Sequence, residues 1–212
     1  MRYRALIPVK SLDQAKSRLA DHLTREERAT LVFDMLHHVI QILRESQAFE
    51  QIAVVSTDNR VLERVSLWGA LPRPEERPGH NPALLAAALR EMATGAEALL
   101  TISADLPLLQ VSDIEGMIAL ARQYDVVLAP SREATGTNAL LVHPPLAIPY
   151  VFGIGSLQRY LVESRQRQLS SVFHTTTGLT LDIDTIEDLE MLRGYEMEDQ
   201  ASYLSYAVWH VQ

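Results

Sequence analysis

Residues 4–18, RALIPVKSLDQAKSR, decide how the rest of the chain is read. Residues 4–9 (RALIPV) are an apolar run with a proline near its end, the pattern of a first buried strand. A polar loop carrying several basic residues follows at once. Beyond it, strand and helix signals alternate. Thr24 and Glu27 form a capping box, and Leu31, Met35, Val39 and Ile42 mark the apolar stripe of a helix. Residues 51–57 (QIAVVST) read as a β-branched strand ending at Asp58. Asn81 and Pro82 suit the N-cap and first turn of the helix PALLAAALREMA. Residues 98–103 (ALLTIS) are a third strand, which Ala104-Asp105-Leu106-Pro107 leaves at its C-terminal end.

Further along, Ser112 to Glu115 has the spacing of another helix cap. Residues 125–130 and 139–143 read as strands, and Gly155-Ser156 opens a helix to about Arg167. Residues 170–174 and 179–181 read as short strands before Thr185-x-x-Asp188 starts the last regular helix. The pattern predicts an α/β fold with a largely parallel central sheet covered by helices on both faces. Ligands in such sheets sit at the carboxyl ends of the strands. The segments to inspect are therefore residues 10–18, 56–58, 103–105 and 182–184.

With 212 residues, the prior of roughly 150 per domain gives one domain, expected over residues 1–193 with an appended tail at 194–212. Hydrophobic residues make up 47% and charged residues 22%, too apolar for disorder. The net charge of −8 argues against a nucleic-acid binder that relies on a basic surface. There is no cysteine, which removes disulfides, thiolate metal sites and cysteine nucleophiles together. No apolar run approaches a membrane span, and the start MRYRALIPVK has too short an apolar core for a secretory signal. A cytoplasmic protein is the expectation.

Known signatures fail in several places. There is no G-x-x-x-x-G-K-[ST] loop, because Lys16-Ser17 lacks its glycines. Gly153-x-Gly155 sits late in the chain without a third glycine, so a dinucleotide fingerprint is not met. No G-x-S-x-G elbow occurs. His37 and His38 are adjacent on a helix and point apart, which disfavours a zinc site.

What remains is charge in particular places. Of 19 basic residues only Lys10 and Lys16 are lysines, and they share one loop with Arg18. A solvated charged loop is one reading; a cradle for a triphosphate is the other, since compact ammonium groups suit phosphates. Asp105 follows a strand, where a turn or a cap would also use it. Asp182 and Asp184 share one side if the strand pleat continues, although Asp184 or Thr185 could simply cap the final helix. Three carboxylates at strand ends are hard oxygen ligands suited to magnesium beside phosphates. Together with a lysine loop they suggest metal-assisted transfer on a nucleotide.

At this point a family resemblance becomes specific. IPVKSLDQAKSRL (residues 7–19) resembles the opening of the 2-phospho-L-lactate or phosphoenolpyruvate guanylyltransferases of coenzyme F-420 biosynthesis. ADLPLL (104–109), GTNALLV (136–142), FGIGS (152–156) and LDIDTIEDL (181–189) follow in the family's order, so the likeness spans about residues 1–192. It implies a Rossmann-like nucleotidyltransferase fold, akin to the nucleotide-diphospho-sugar transferases, with one antiparallel strand. It implies GTP and Mg2+, and transfer of GMP to the phosphate of a small phosphorylated carboxylic acid. By the same resemblance Lys10, Lys16 and Arg18 hold the GTP phosphates, and Asp105, Asp182 and Asp184 bind magnesium. Thr137, Gly153 and Ser156 match acceptor-binding positions, and Asn81, in GHNPAL, matches a segment near the nucleotide. The chain departs from the family at Leu157 and Tyr160, where a phenylalanine and a histidine are expected, beside the acceptor positions.

The residue-level readings of Thr137 and Ser156 as ordinary turn and cap residues, and of Gly153 as a positive-φ position, stay open. So do two other functions: a nucleotidyltransferase of the molybdenum-cofactor or sugar-phosphate type, and a nucleotide-binding regulator without turnover. Against the first of these, no glycine-rich loop lies between Val9 and Arg18. Finally, Tyr195, Tyr203, Tyr206 and Trp209 put four of the chain's aromatic residues into its last 18 positions. Such a segment needs somewhere to bury its rings, and the expectation is a homodimer contact.

Overall fold

A computed structural model describes residues 1–199; the aromatic positions 203, 206 and 209, with the dimer contact expected of them, lie outside the described residues. Strand β1 (Tyr3–Val9) is apolar at nearly every position because both of its faces are covered. On one face Ala5, Ile7 and Val9 pack with helix α1 (Arg25–Glu45), and Leu6 turns to the opposite face. Strands β2 (Phe49–Ser56) and β4 (Ala98–Ile102) flank β1 in parallel and alternate in the same way. Beyond β2 lie helix α2 (Asn59–Leu67) and the edge strand β3 (Leu71–Pro74).

On the other side of β4 runs β6 (Thr137–Val142), paired antiparallel with both β4 and β5 (Val126–Pro130). Strand β7 (Ser171–Phe173) closes the sheet parallel to β5, in the order β3-β2-β1-β4-β6-β5-β7. The parallel sheet with a single antiparallel member is therefore as expected. Helices α1, α2 and α4 (Val111–Ala121) contribute to the core on one face. Helix α3 (His80–Ala93) packs Ala83, Leu84, Ala87 and Ala88 on the other, and α5 (Ser156–Gln166) adds Tyr160 there. Helices α6 (Thr177–Thr180) and α7 (Ile186–Asp199) complete the described chain, and Leu181, Ile183, Leu189 and Leu192 close a satellite core with Leu31 and Met35. No helix among the described residues is long and apolar enough to cross a membrane.

Four local expectations change. The helix after Gly79 begins at His80, so Asn81 is inside its first turn and Gly79 is the N-cap. Helix α4 starts earlier than Ser112: Gln110 is its N-cap, and the Asp113 carboxylate accepts the Gln110 N–H at 2.8 Å. The Ser-x-x-Glu spacing competes there with an equivalent pair two residues upstream. Residues 179–181 form no strand; they belong largely to α6, where the Thr176 hydroxyl accepts the Leu179 N–H at 3.3 Å. The α1 stripe is also wider than expected, with Val32, Leu36, Ile40 and Leu43 buried and Ile42 only half-buried. Elements α2 and β3 carried no sequence prediction. Strand β3 holds two prolines in four residues, tolerable because it is an edge strand.

Glu91 ties α3 to the sheet. It is fully buried, and its carboxylate accepts from Arg4 at 2.9 Å, Arg73 at 3.0 Å and Gln51 at 2.6 Å, reaching β1, β3 and β2 together. Removing one partner of such a buried network leaves charge uncompensated. Glu91→Ala should cost about 3–5 kcal/mol in urea unfolding, whereas Glu63→Ala on the exposed face of α2 should stay within about 0.5 kcal/mol. Equal losses in the two variants would show that the network holds nothing together.

Candidate active site

The loop after β1 is folded inward by its own apolar residues. Leu12, Ala15 and Leu19 are buried, which turns the polar positions between them toward the end of the sheet. Asp58, at the end of β2, fixes its start: the carboxylate accepts the Leu12 N–H at 3.0 Å while capping α2 through the Arg60 N–H at 3.0 Å. Arg60 donates to Asp58 and Asp13, at 2.6 and 2.8 Å, and Arg25 pairs with Asp13 as well. Residues 56–58 thus support the loop and do not line the cleft.

Lys16 adopts a left-handed conformation (φ 51°) at the head of a 3-10 turn, Ser17–Leu19. That backbone costs about 1–2 kcal/mol for a residue with a side chain. It aims the ammonium at carboxylates from two distant segments, Asp105 after β4 and Asp184 before α7, the latter at 3.0 Å. Burial opposes the charge on Lys16, but Asp105 and Asp184 outweigh it and hold the ammonium more firmly protonated than usual. Burial likewise works against the Asp105 carboxylate, and Lys16 reverses the balance to lower its pKa. Arg18 stands further out, 3.8 Å from Asp184. Lys10, by contrast, has no hydrogen-bond or ion-pair partner among the described residues and faces the cleft.

The Asp182–Asp184 segment is placed from three sides. Asn138, buried in β6, donates to the carbonyls of Leu179 and Thr180 and to Asp182 Oδ1 at 3.0 Å. The Ile183 N–H reaches the Asp105 carbonyl at 3.2 Å. At the start of α7, Asp188 accepts the N–H groups of Asp184 and Thr185 at 3.0 and 2.9 Å and pairs with Arg132. Gly178 lets α6 lie flat on this region, since a Cβ there would run into Asp113 and stand 2.6 Å from the Leu108 carbonyl.

The opposite wall is the segment before α5. Gly153 (φ +114°) and Gly155 (φ +71°) turn the chain, and Ile154 between them is 93% exposed at the rim. Ser156 Oγ donates to Thr137 Oγ1 at 3.0 Å, joining this wall to β6. The first N–H groups of α5 are engaged inside the fold, Ser156 with the Gly153 carbonyl and Leu157 with Thr135. Tyr160, one of the two departures from the resembled family, is fully buried beneath the wall, where its hydroxyl accepts the Val151 N–H at 3.2 Å. Leu157 packs into the same cluster, so neither departure lines the cleft.

These walls enclose a cleft of about 560 Å³. Lys10, Lys16, Arg18, Asp105, Thr137, Gly153, Ser156, Asp182 and Asp184 all line it; Asn81 does not, and its amide engages the backbone of Phe152. Several lining residues escaped the sequence reading, among them Ser131, Glu133, Thr135, Asn138 and His80. Asn138 carried a signal, as a polar residue in the otherwise apolar run NALLV. His80 carried little, because a helix N-terminus does not reveal which way its first side chain points. Burial, with help from Lys10, lowers the His80 pKa.

Among the described residues no three Asp, Glu or His side chains converge on a ready metal position. Lys16 stands between Asp105 and Asp184 instead. Two of the three carboxylates nevertheless fit a hard divalent cation. Asp105 Oδ1 is buried without a hydrogen-bond partner, and burial, reinforced by the Asp105 charge, pushes Asp182 up to about 6. Facing carboxylates with an unsatisfied oxygen are the donor set such a cation takes.

Comparison with known proteins shows the family. Residues 3–208 match the family model described as guanylyl transferase CofC like. The phosphoenolpyruvate guanylyltransferase of Sphaerobacter thermophilus is 38% identical over 191 residues, 90% of this chain and 92% of that one. The 2-phospho-L-lactate guanylyltransferase of Methanocaldococcus infernus is 31% identical, over 87% of this chain and 81% of its own. Among solved structures, a protein of Desulfovibrio desulfuricans G20 described as a nucleotide-diphospho-sugar transferase superposes with a TM-score of 0.80 at 16% identity, covering 98% of this chain and 93% of that one, which shows the shared fold.

Asp58 gives a pH test of the loop anchor. The Arg60 side chain beside it, aided by the backbone N–H groups it accepts, lowers its pKa from 3.8 to about 2. A lowered folded-state pKa contributes stability above the unfolded value and loses it as pH falls through the folded one. Wild type should therefore exceed Asp58→Asn by a constant margin above about pH 5, with the gap narrowing between about pH 4 and 2. A gap independent of pH down to 2 would contradict this anchor.

Proposed function

The chain belongs to the CofC-like guanylyl transferase family and is a nucleotidyltransferase; from that premise we propose that it transfers GMP from GTP to the phosphate of a small phosphorylated carboxylic acid. The acceptor is phosphoenolpyruvate or 2-phospho-L-lactate, pyrophosphate leaves, and the reaction serves coenzyme F-420 biosynthesis. The observation that carries this reading is the meeting, in one cleft, of a lysine loop, one carboxylate after β4 and two between α6 and α7, and a hydroxyl-and-glycine wall.

In this reaction a phosphate oxygen of the acceptor attacks the α-phosphorus of GTP in line with the departing pyrophosphate. One P–O bond forms and one breaks. The acceptor phosphate is already anionic near neutral pH, so no side chain needs to remove a proton. Catalysis then rests on positioning and charge neutralisation. Lys10, with no carboxylate partner among the described residues, takes the β- and γ-phosphates, and Arg18 reaches them from the rim. Lys16 shares its protons between Asp105, Asp184 and the nucleotide. Thr137 and Ser156, already joined hydroxyl to hydroxyl, hold the acceptor with the open backbone at Gly153. Asp105, Asp182 and Asp184 would hold a magnesium ion. Such an ion supplies neutralisation of phosphate charge and polarisation of the α-phosphorus.

The test is pyrophosphate release from GTP and magnesium with phosphoenolpyruvate, 2-phospho-L-lactate, 3-phosphoglycerate or no acceptor. Release should depend on one of the first two. Asp105→Asn should stay folded and lose at least about a hundredfold in turnover, and Lys10→Met should raise the KM for GTP about tenfold. Silence with all three acceptors would overturn the reading, and so would near-wild-type turnover in Asp105→Asn.

A further inference from the structure

Asn81 sits in the first turn of α3, yet its side chain makes no cap. Its amide reaches 71 residues along the chain instead: Oδ1 accepts the Phe152 N–H at 2.9 Å and Nδ2 donates to the Phe152 carbonyl at 3.1 Å. A carboxamide has one acceptor and one donor side, like a peptide group, so this pairing copies a strand's backbone ladder at a single residue. It is the only hydrogen bond made by the Phe152 N–H among the described residues. The Phe152 ring is held as well, edge-on to His80 at 5.7 Å and to Tyr160 at 5.4 Å.

Phe152 is the last fixed point before the wall of the cleft. Val151 is fastened by Tyr160 Oη on its N–H and by Arg159 on its carbonyl. After Phe152 the chain passes through two positive-φ glycines and the exposed Ile154 until Ser156 meets Thr137. Asn81 holds both polar groups of Phe152 at one end, with Arg159 also donating to its carbonyl at 3.3 Å, and Thr137 holds Ser156 at the other; Asn81 alone takes the Phe152 N–H among the described residues. Asn81 also belongs to the helix whose first residue, His80, lines the cleft together with Lys10.

We propose that Asn81 is a positioning residue for the acceptor wall: it locks Phe152 so that Gly153 and Ser156 present one geometry to the acceptor, and it does not read the guanine base. The assignment of the wall to the acceptor rests on the reading under Proposed function. With its amide occupied by backbone, Asn81 orders the loop before substrate arrives, so binding does not bear that ordering cost.

The test compares Asn81→Ala, which removes both bonds, with Asn81→Asp, which keeps the acceptor oxygen alone. Amide hydrogen exchange in the unliganded protein comes first: Phe152 in Asn81→Ala should exchange about tenfold faster while the core strands keep their protection. Steady-state kinetics and direct GTP-binding titration come second. In Asn81→Ala the KM for the acceptor should rise about tenfold with GTP affinity within about twofold of wild type, and Asn81→Asp should fall between. Unchanged exchange at Phe152 would overturn the proposal, as would a rise in GTP dissociation constant with acceptor KM intact, which would assign Asn81 to the nucleotide. If Asn81→Ala fails to fold, Asn81→Asp decides by the same criteria. If wild type transfers GMP to none of the acceptors, the functional reading fails while the exchange measurement still decides whether Asn81 locks the loop.

Discussion

The buried ammonium of Lys16 is the constraint on which the rest of the cleft depends. It stands between carboxylates contributed by the end of β4 and by the segment before α7, so three stretches far apart in sequence must converge for it to be neutralised. An isolated ammonium there would be expensive, and so would two facing carboxylates without it. Each makes the other tolerable. The fold is built around that need: a left-handed backbone at Lys16, buried Leu12 and Leu19 on either side, and Asp58 holding the loop at its root.

The scaffold under the carboxylates is equally specific. Asn138 lies on the one antiparallel strand, which brings a polar amide to the end of the sheet where Asp182 arrives. Gly178 allows α6 close enough to α4 for the chain to reach that amide. Asp188, itself paired with Arg132, fixes the backbone of Asp184 through the helix start that follows. The charged centre is thus carried by buried hydrogen bonds from rigid elements. The wall around Ile154 is a loop as well, and there Asn81, Tyr160 and Arg159 supply the fixing.

Much of this was legible because strands buried on both faces write themselves as apolar runs, and their polar exits mark the ligand edge. Lys10, Lys16 and Asp105 stood out at those exits, Asp182 and Asp184 after a stretch that only looked like a strand, and all five line one cleft. What local sequence could not show is partner choice over distance. An asparagine at a helix start can cap its own helix or reach another segment, and Asn81 does the latter. Residues 179–181 look strand-like, but Thr176 and the close approach at Gly178 wind them into α6. Strand β3 was invisible because its pairing comes from a neighbour and its two prolines argue against it. Lys16 pointing inward toward carboxylates, with Lys10 left unpaired, is likewise a property of the folded loop.

On the proposed reading, a cleft with ammonium and guanidinium groups on one side and hydroxyls and open backbone on the other suits attack by an oxygen that is already anionic. The direct measurement is 31P NMR of GTP, magnesium and phosphoenolpyruvate or 2-phospho-L-lactate with the wild-type enzyme. The account predicts a new diphosphate linkage joining the α-phosphorus to the acceptor phosphate, appearing one for one with pyrophosphate. Formation of GDP and inorganic phosphate, or no change in the GTP resonances with either acceptor, would contradict it.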